Sequence, residues 1–404
     1  MASIRKRGNS YQIRVSAGYD INGKQLTKQT TWTPSPGMTE RQIEKELNRQ
    51  ATLFEESVRN GLTGDNKQNF AEYSRYVIEL KERSGLKVST IERYESFMEL
   101  TNKAIGHIKL CELHPKHLND FYKQLAQDGM NQKTGGKLSN KTILEYHRFI
   151  SSVLSQAEKE LLISFNPARK ATPPKVEKTD VNYFQIDETQ KILEHLITEP
   201  LKHQLIVMLL MVTGCRRGEV LGLKWNKIDK ESRTIHIENN VLYSSKIGVY
   251  ETTTKTRKTR KVKFPAELLP ILSAYQKEFI KLKLNNGDRW QGAQGVGVVG
   301  SERWIENDFV FVQNDGKPMH PDSVTDWQRK FSKRHNLPHV NPKAFRHTVA
   351  SILISQGVDV VTVSKQLGHN KVSTTTDIYS HIIERASEQA AETLSGVIFQ
   401  KKVN

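Results

Sequence analysis

Tyr379 stands ten residues after His369 in the stretch Leu367–His381, L-G-H-N-K-V-S-T-T-T-D-I-Y-S-H. Two arginine motifs precede it, T-G-C-R-R-G-E at 213–219 and N-P-K-A-F-R-H-T at 341–348. These residue types together suit attack on a phosphodiester. A tyrosine hydroxyl can displace an alkoxide from phosphorus and keep the phosphate as a covalent phosphotyrosine. A guanidinium offers a planar fork of donors that matches phosphate oxygens.

Each of these residues alone has an ordinary structural reading. Arg216 lies where the apolar run L-I-V-M-L-L-M-V meets T-G-C-R-R-G-E-V. Arginine is not buried without a partner, and Glu219, three residues on, shares a helix face with it. In isolation that is a structural Arg–Glu pair. Lys255 belongs to E-T-T-T-K-T-R-K-T-R-K-V-K (251–263), where six basic residues face one acid between two strand patterns. A lysine at a hairpin tip reaches a phosphate as a mobile point charge, and neighbouring arginines should lower its pKa toward that of a useful acid. In isolation it is a basic hairpin touching a DNA backbone, as Arg257 and Lys258 would. Lys343 is one helical turn before Arg346, in a segment that becomes helical at T-V-A-S-I-L-I. Gly368 marks a helix end just before His369, and Tyr379 sits in a short helix opened by Ser373–Thr376. The order Arg, Lys, Lys-x-x-Arg, His, Tyr sets the group apart from its parts.

The elements that must position these residues read as a multidomain α+β chain. Residues 1–62 form a small sheet followed by a helix. Tyr11, Ile13 and Val15 alternate with Gln12 and Arg14, the turn D-I-N-G-K follows, and Leu26–Trp32 resumes the extended pattern. A helix then runs from a Thr39 cap to Arg59. Arg5, Lys6, Arg7, Arg14 and Lys28 give this sheet a basic face that could lie in a DNA groove. Residues 68–166 carry four apolar stripes at helical spacing and form a compact helical domain. Its polar surface includes Lys133, Lys137, Lys141 and Arg148. N-P-A-R-K-A-T-P-P-K opens a link over 167–179, read as extended. Residues 180–404 make the last domain, mainly helical with a small β-sheet. Helices are expected near 187–198, 201–213 and 266–284, and strands at 235–237, 241–243, 261–264 and 309–312.

The chain carries 61 lysines and arginines against 44 acids, a formal charge of +17, which favours a polyanion such as nucleic acid. No apolar run reaches the ~20 residues of a membrane span, and no secretory signal pattern opens the sequence. Cys111 and Cys215 do not suggest a disulfide framework. The expected setting is the cytoplasm, on the nucleoid of a bacterial host when active. G-V-G-V-V-G (295–300) matches a dinucleotide fingerprint but neither follows a strand nor opens a helix, so it reads as an insertion. His107, Cys111, His114 and His117 fit no common zinc spacing. No metal, nucleotide or other cofactor is expected.

With these residues in place the chain resembles the tyrosine recombinases, the phage-integrase family. T-G-C-R-R-G-E-V-L-G-L-K-W is similar to the family's first arginine box. K-A-F-R-H-T-V-A-S is similar to the second box, and V-S-K-Q-L-G-H-N-K-V-S-T-T-T-D-I-Y to its end. The match is strong over about 184–385. Residues 68–166 resemble the core-binding domain, and residues 1–62 the arm-binding domain of integrases from temperate phages and conjugative transposons. The resemblance implies Tyr379 as the nucleophile that forms a 3′-phosphotyrosine and releases a 5′-hydroxyl. It implies Arg216 and Arg346 as the phosphate clamp, Lys255 as general acid, His369 as a hydrogen-bond donor to the phosphate and Glu219 as support for Arg216. The second box usually begins with histidine. Lys343 stands there instead, which leaves open what takes the tyrosine proton; His347, the residue after Arg346, is a less natural stand-in.

The resemblance further implies double-stranded DNA with core and arm sites, a homotetramer exchanging strands through a Holliday junction, and a C-terminal tail (stripe Ile382, Ile383, Ala386, Ala390) for multimerisation. An excisionase and a host DNA-bending protein are further expected partners. The rival readings are a catalytically silent DNA-binding protein and a type IB topoisomerase-like relaxing enzyme. A metal-dependent nuclease would need clustered carboxylates, which the sequence lacks.

Overall fold

The computed structural model describes residues 2–19, 23–59, 68–177, 182–253, 259–291 and 308–380. The chain divides into two compact units, Met1–Lys178 and Thr179–Asn404.

The first unit opens with three antiparallel strands, β1 (Ser3–Arg7), β2 (Ser10–Tyr19) and β3 (Gln25–Trp32), in the order β1-β2-β3. Helix α1 (Glu40–Arg59) follows, with the Gln42 side chain accepting from the Thr39 backbone N–H at 2.9 Å. Alternation along β2 puts Ile13 and Val15 into a small core with Leu47 and Ala51 of α1. Cross-strand partners share a face. Arg5 pairs with Gln12, Arg7 with Ser10 and Arg14 with Gln29, so these three arginines share the outer face. Lys6 pairs with Tyr11 and Lys28 with Val15. Those two lysines therefore belong to the α1 side of the sheet, and Lys6 lies 5.8 Å from the Tyr11 ring centroid. The expected basic face is thus an arginine and amide face; a register of two removes both lysines from it.

A second core joins α2 (Phe70–Arg83), α3 (Val88–Ile105), α4 (Pro115–Leu125) and α5 (Asn140–Lys159). Asn69 and Ser139 cap α2 and α5 by accepting from the N–H groups three residues on. His117 caps α4 in the same spirit: its Nδ1 accepts from the His114 N–H at 3.2 Å. Lys133 and Lys137 stand exposed before α5, and Lys141 and Arg148 are exposed two turns apart along it, Arg148 paired with Glu145 at 2.6 Å. The link expected to run extended from 167 starts instead as a 3-10 turn, Pro167–Lys170, with Ala168 in the helical core. Asn166 is the physical reason. Its buried amide bonds Ser151 O and Ser155 Oγ while its Oδ1 accepts from Ala168 N–H, locking the turn onto α5. Asn119 and Asn140 extend the attachment to Thr172 and Lys175.

The second unit begins with α6 (Ile186–Leu196), α7 (Leu201–Thr213) and the one-turn α8 (Arg217–Leu221). Strands β4 (Ile228–Asp229), β5 (Thr234–Ile237), β6 (Asn239–Ser244), β7 (Gly248–Thr253) and β8 (Arg260–Lys263) follow. They form two sheets, β4-β5-β8 and β6-β7, so the strands flanking 254–259 belong to different sheets. Helices α9 (Leu268–Asn286), α10 (Pro321–Arg334), α11 (Pro342–Ser355) and α12 (Val360–Leu367) complete the named elements, and residues 373–380 are helical. The strand expected at 309–312 makes only isolated bridges at Phe309 and Val312, although its side chains are fully buried. An apolar run of that length marks burial without fixing the backbone pairing. Helix α7 is apolar on all sides and lies in the main core with α9 and α11 around it. The insertion at 295–300, the tail after residue 380, and Lys255, Arg257 and Lys258 lie outside the described residues.

Candidate active site

Two glycine turns help bring the expected residues together. The apolar helix α7 stops at Gly214, whose φ of +64° only glycine adopts freely. A Cβ at Gly214 would also stand 2.7 Å from Leu367 Cδ2. Arg216 then caps α8: its backbone N–H donates to Glu219 Oε2 at 3.0 Å and its Nη1 to Oε1 at 2.7 Å. Gly368 ends α12 at φ +69°, its Cα hydrogen side turned to Arg260, which a Cβ would meet at 2.8 Å. Arg216 Nη2 lies 3.4 Å from the Gly368 carbonyl oxygen, which joins the first box to the turn that carries His369.

Glu219 is 1% exposed and serves two guanidiniums. Its Oε2 also accepts from Arg260 Nη2 at 2.6 Å, while Arg260 Nε donates to Gln366 O at 2.9 Å. Burial works against a charged carboxylate here, yet Arg260 and Arg216 hold Glu219 below the usual carboxylate range. Arg346, one turn into α11, is 8% exposed and donates from Nη1 to Gly214 O at 2.8 Å. Its Nη2 is buried and has no hydrogen-bond partner among the described residues. Three guanidiniums thus face the carboxylate of Glu219, an excess of two positive charges in a largely dry pocket. Burial, then the charge of Arg216, pull Arg346 down to about 10.

His369 is fixed by Thr375, whose buried Oγ1 is 2.8 Å from Nδ1. Tyr379 is 1% exposed and packs with Ala350, Ile354, Val363 and Leu367 of its own chain. Its hydroxyl meets a residue that the sequence reading had set aside: Tyr379 Oη and His347 Nδ1 are 2.6 Å apart. Burial pushes the Tyr379 phenol up to about 12, against the pull of Arg346. Burial, with Lys343 and Arg346 behind it, brings His347 down to about 4, and burial with Arg346 and Arg216 does the same to His369. Lys343 lies in the first turn of α11, with its N–H donating to the Asn341 side chain at 3.1 Å.

The site therefore unites Arg216, Glu219, Arg346, His369 and Tyr379. Arg260 was missed in the sequence and His347 was set aside there as a less natural stand-in, and each had a signal. Arg260 is two residues from Val262 on β8, and Val262 is buried, so strand alternation points both inward. His347 stands at i, i+3 and i+7 with Ala350 and Ile354, the buried stripe of α11.

Removing the shared carboxylate should unbalance this pocket. Glu219→Ala leaves the guanidiniums without a counter-charge and is expected to cost the second unit about 3–5 kcal/mol, read as a lower urea midpoint. The two histidines predict a pH dependence. Both have native pKa values near 4, below an ordinary ~6.5 in the unfolded chain. The unfolded chain then binds more protons between pH ~6.5 and ~4, so their contribution is fully present above ~6.5 and is lost as pH falls toward 4. Thermal melting at pH 5 should fall below that at pH 7, by roughly 1–2 kcal/mol per histidine.

Comparison with known proteins agrees with this geometry. Residues 182–385 match the model of the phage integrase family, and residues 69–173 that of the phage integrase SAM-like domain. The chain is 26% identical over 403 residues to the tyrosine recombinase XerC-like protein of Caldanaerobacter subterraneus subsp. tengcongensis, covering 95% of each. It is 23% identical over 418 residues to the ICEBs1 integrase of Bacillus subtilis, covering 98% of this chain and all of that one. In fold it is similar to the Tn1549 transposon integrase solved with a circular intermediate DNA, with a TM-score of 0.63 at 21% identity, over 80% of this chain and 99% of that one. A family model spanning half the chain, laid over the clustered arginines, histidine and buried tyrosine, assigns the protein to the phage integrase family: it is a tyrosine recombinase.

Proposed function

We propose that this recombinase cuts and rejoins double-stranded DNA of a mobile element through a 3′-phosphotyrosine made by Tyr379. The observation that carries the proposal is the buried Arg346, whose Nη2, unpaired among the described residues, stands in a pocket with two excess positive charges. Such a group is destabilising unless an anion completes it. A scissile phosphate supplies both the charge and the acceptor oxygens.

In this reading Arg216 and Arg346 hold the non-bridging oxygens and stabilise the charge that develops at phosphorus. Glu219 and Arg260 hold Arg216 in place. His369, with Nδ1 engaged by Thr375, presents Nε2 to the phosphate. Lys255 protonates the leaving 5′-oxygen. Because Tyr379 packs within its own unit, the protomer that holds the phosphate also attacks it. The outer arginine face of β1 and β2 is suited to an arm site, and the exposed Lys133, Lys137, Lys141 and Arg148 to core-site phosphates, as expected of residues 1–62 and 68–166. DNA also stands beside the relatives, as the Tn1549 integrase was solved with a circular intermediate DNA and a lambda integrase dimer was solved bound to a COC′ core site. Exchange in pairs within a tetramer, with an excisionase and a DNA-bending protein setting direction, and a cytoplasmic setting complete the proposal.

Plasmids with two, one or no copies of the candidate element junction separate the rival functions. The proposal expects a deletion or inversion product only from the two-site plasmid. Relaxation on all three without recombinants would support a topoisomerase, and binding without strand breakage a silent DNA-binding protein.

A further inference from the structure

The second arginine box of this chain places Lys343 where a histidine would ordinarily take the tyrosine proton. Helix α11 offers another group. His347 is 7% exposed, and its Nδ1 lies 2.6 Å from Tyr379 Oη, within the range of a strong O–H to nitrogen hydrogen bond. The two rings are 5.8 Å apart and inclined at 60°, so the contact is made edge-on through the hydroxyl. The ring is set by the helix that carries Arg346, one residue before it, so the phosphate clamp and the tyrosine's partner move as one piece.

We propose that His347 is a catalytic residue of strand cleavage: its Nδ1 takes the Tyr379 proton as Oη attacks phosphorus, and returns it when the strand is rejoined. This deepens the phosphotyrosine reading and rests on it. In cleavage the Oη–H bond breaks and Nδ1–H forms. The Oη–P bond forms and the P–O5′ bond breaks, and O5′ takes a proton from Lys255. In rejoining, O5′–H attacks, Lys255 recovers its proton, and His347 protonates the departing Oη. No other reactant is required.

The surroundings set when the base becomes effective. The charged groups near His347 are Lys343 and Arg346 on its own helix, His369 after α12 and Tyr379 on 373–380, with Arg216 and Arg260 bordering Arg346. Glu219 adds a carboxylate beside Arg346, but three guanidiniums outnumber it and the phenol is neutral, so without DNA the imidazole stays neutral and free to accept. A bound phosphodiester places a negative charge among these cations and favours the imidazolium that forms during attack. Substrate binding thereby raises the basicity of His347 at the moment it is needed.

The test uses the full-length chain and two nicked suicide duplexes. One has a normal scissile phosphate, the other a 5′-bridging phosphorothiolate whose sulfur leaves without a proton. The variants are His347→Ala, His347→Asn, Lys343→Gln and Lys255→Ala. Asparagine keeps a hydrogen-bond acceptor near Nδ1 but cannot take a proton at neutral pH. The expected results are losses of about 10²–10³-fold for both His347 variants on the normal duplex, with no rescue by the phosphorothiolate. Lys255→Ala should be rescued by it. The His347 variants should also speed up about tenfold per pH unit from 7 to 9, as hydroxide replaces the base, whereas wild type should rise less. Retained DNA binding and melting within a few degrees of wild type confirm that the variants are folded.

Near-wild-type cleavage by His347→Asn would make His347 a positioning residue and overturn the proposal. So would rescue of His347→Ala by the phosphorothiolate, or transfer of the steep pH dependence to Lys343→Gln. If wild type gives no adduct on either duplex, the phosphotyrosine reading fails first, a result distinct from any of these.

Discussion

Tyr379→Phe should lose covalent DNA attachment completely while binding DNA within about threefold of wild type. The substitution removes one oxygen and leaves the ring, which packs against Ile354, Val363 and Leu367 and is almost wholly buried. The apolar burial that positions residues 373–380 is therefore retained. What is lost is the hydrogen bond to His347 at 2.6 Å, worth roughly 1 kcal/mol net. The imidazole Nδ1 is then left facing a ring, so the melting temperature should fall by a few degrees at most. The chemistry has no such reserve. The hydroxyl that His347 engages is that of Tyr379, so no residual adduct is expected above background. Folding, DNA binding and covalent attachment, measured in parallel, distinguish a missing nucleophile from a damaged domain.

Arg346→Met should move stability and activity in opposite directions. Arg346 is buried, pulled down to about 10, and its buried Nη2 has no hydrogen-bond partner among the described residues. Its burial is thus a cost that the free protein carries. Methionine of similar length fills the space and removes one of the two excess charges, which should raise the stability of the free second unit by about 1–3 kcal/mol. The donor to Gly214 O is lost, which keeps the gain at the lower end. Cleavage should drop by about 10³-fold or more, because the clamp loses donors aimed at charge that appears only in the transition state. Urea unfolding without DNA and single-turnover cleavage on the suicide duplex read the two effects separately. A variant both less stable and inactive would mean that Arg346 is a structural arginine.

The apolar periodicities of 70–160 were enough to place the helices there, because a helix that buries one stripe needs a 3.6-residue repeat and a cap. The arginine face of β1–β3 needed more. Alternation along β2 was visible, but Lys6 and Lys28 are sorted by which residue of β2 they pair with, and register is set by the turns and the packing of α1. The same holds at the site. Arg216, Glu219, Arg346, His369 and Tyr379 could be named from residue type and order alone. His347 and Arg260 acquire their meaning from neighbours 32 and 41 residues away, contacts that no local pattern encodes. Lys255, Arg257 and Lys258 remain assigned by sequence and resemblance.

Mapping the covalent linkage tests the central claim most directly. The full-length protein is trapped on a suicide duplex carrying the element junction, digested with nuclease and protease, and the nucleotide-bearing peptide is sequenced by mass spectrometry. The account predicts one modified peptide, carrying a 3′-linked nucleotide on Tyr379, and none from Tyr379→Phe. A nucleotide on any other residue, or strand cleavage that leaves no protein–DNA bond, would contradict it.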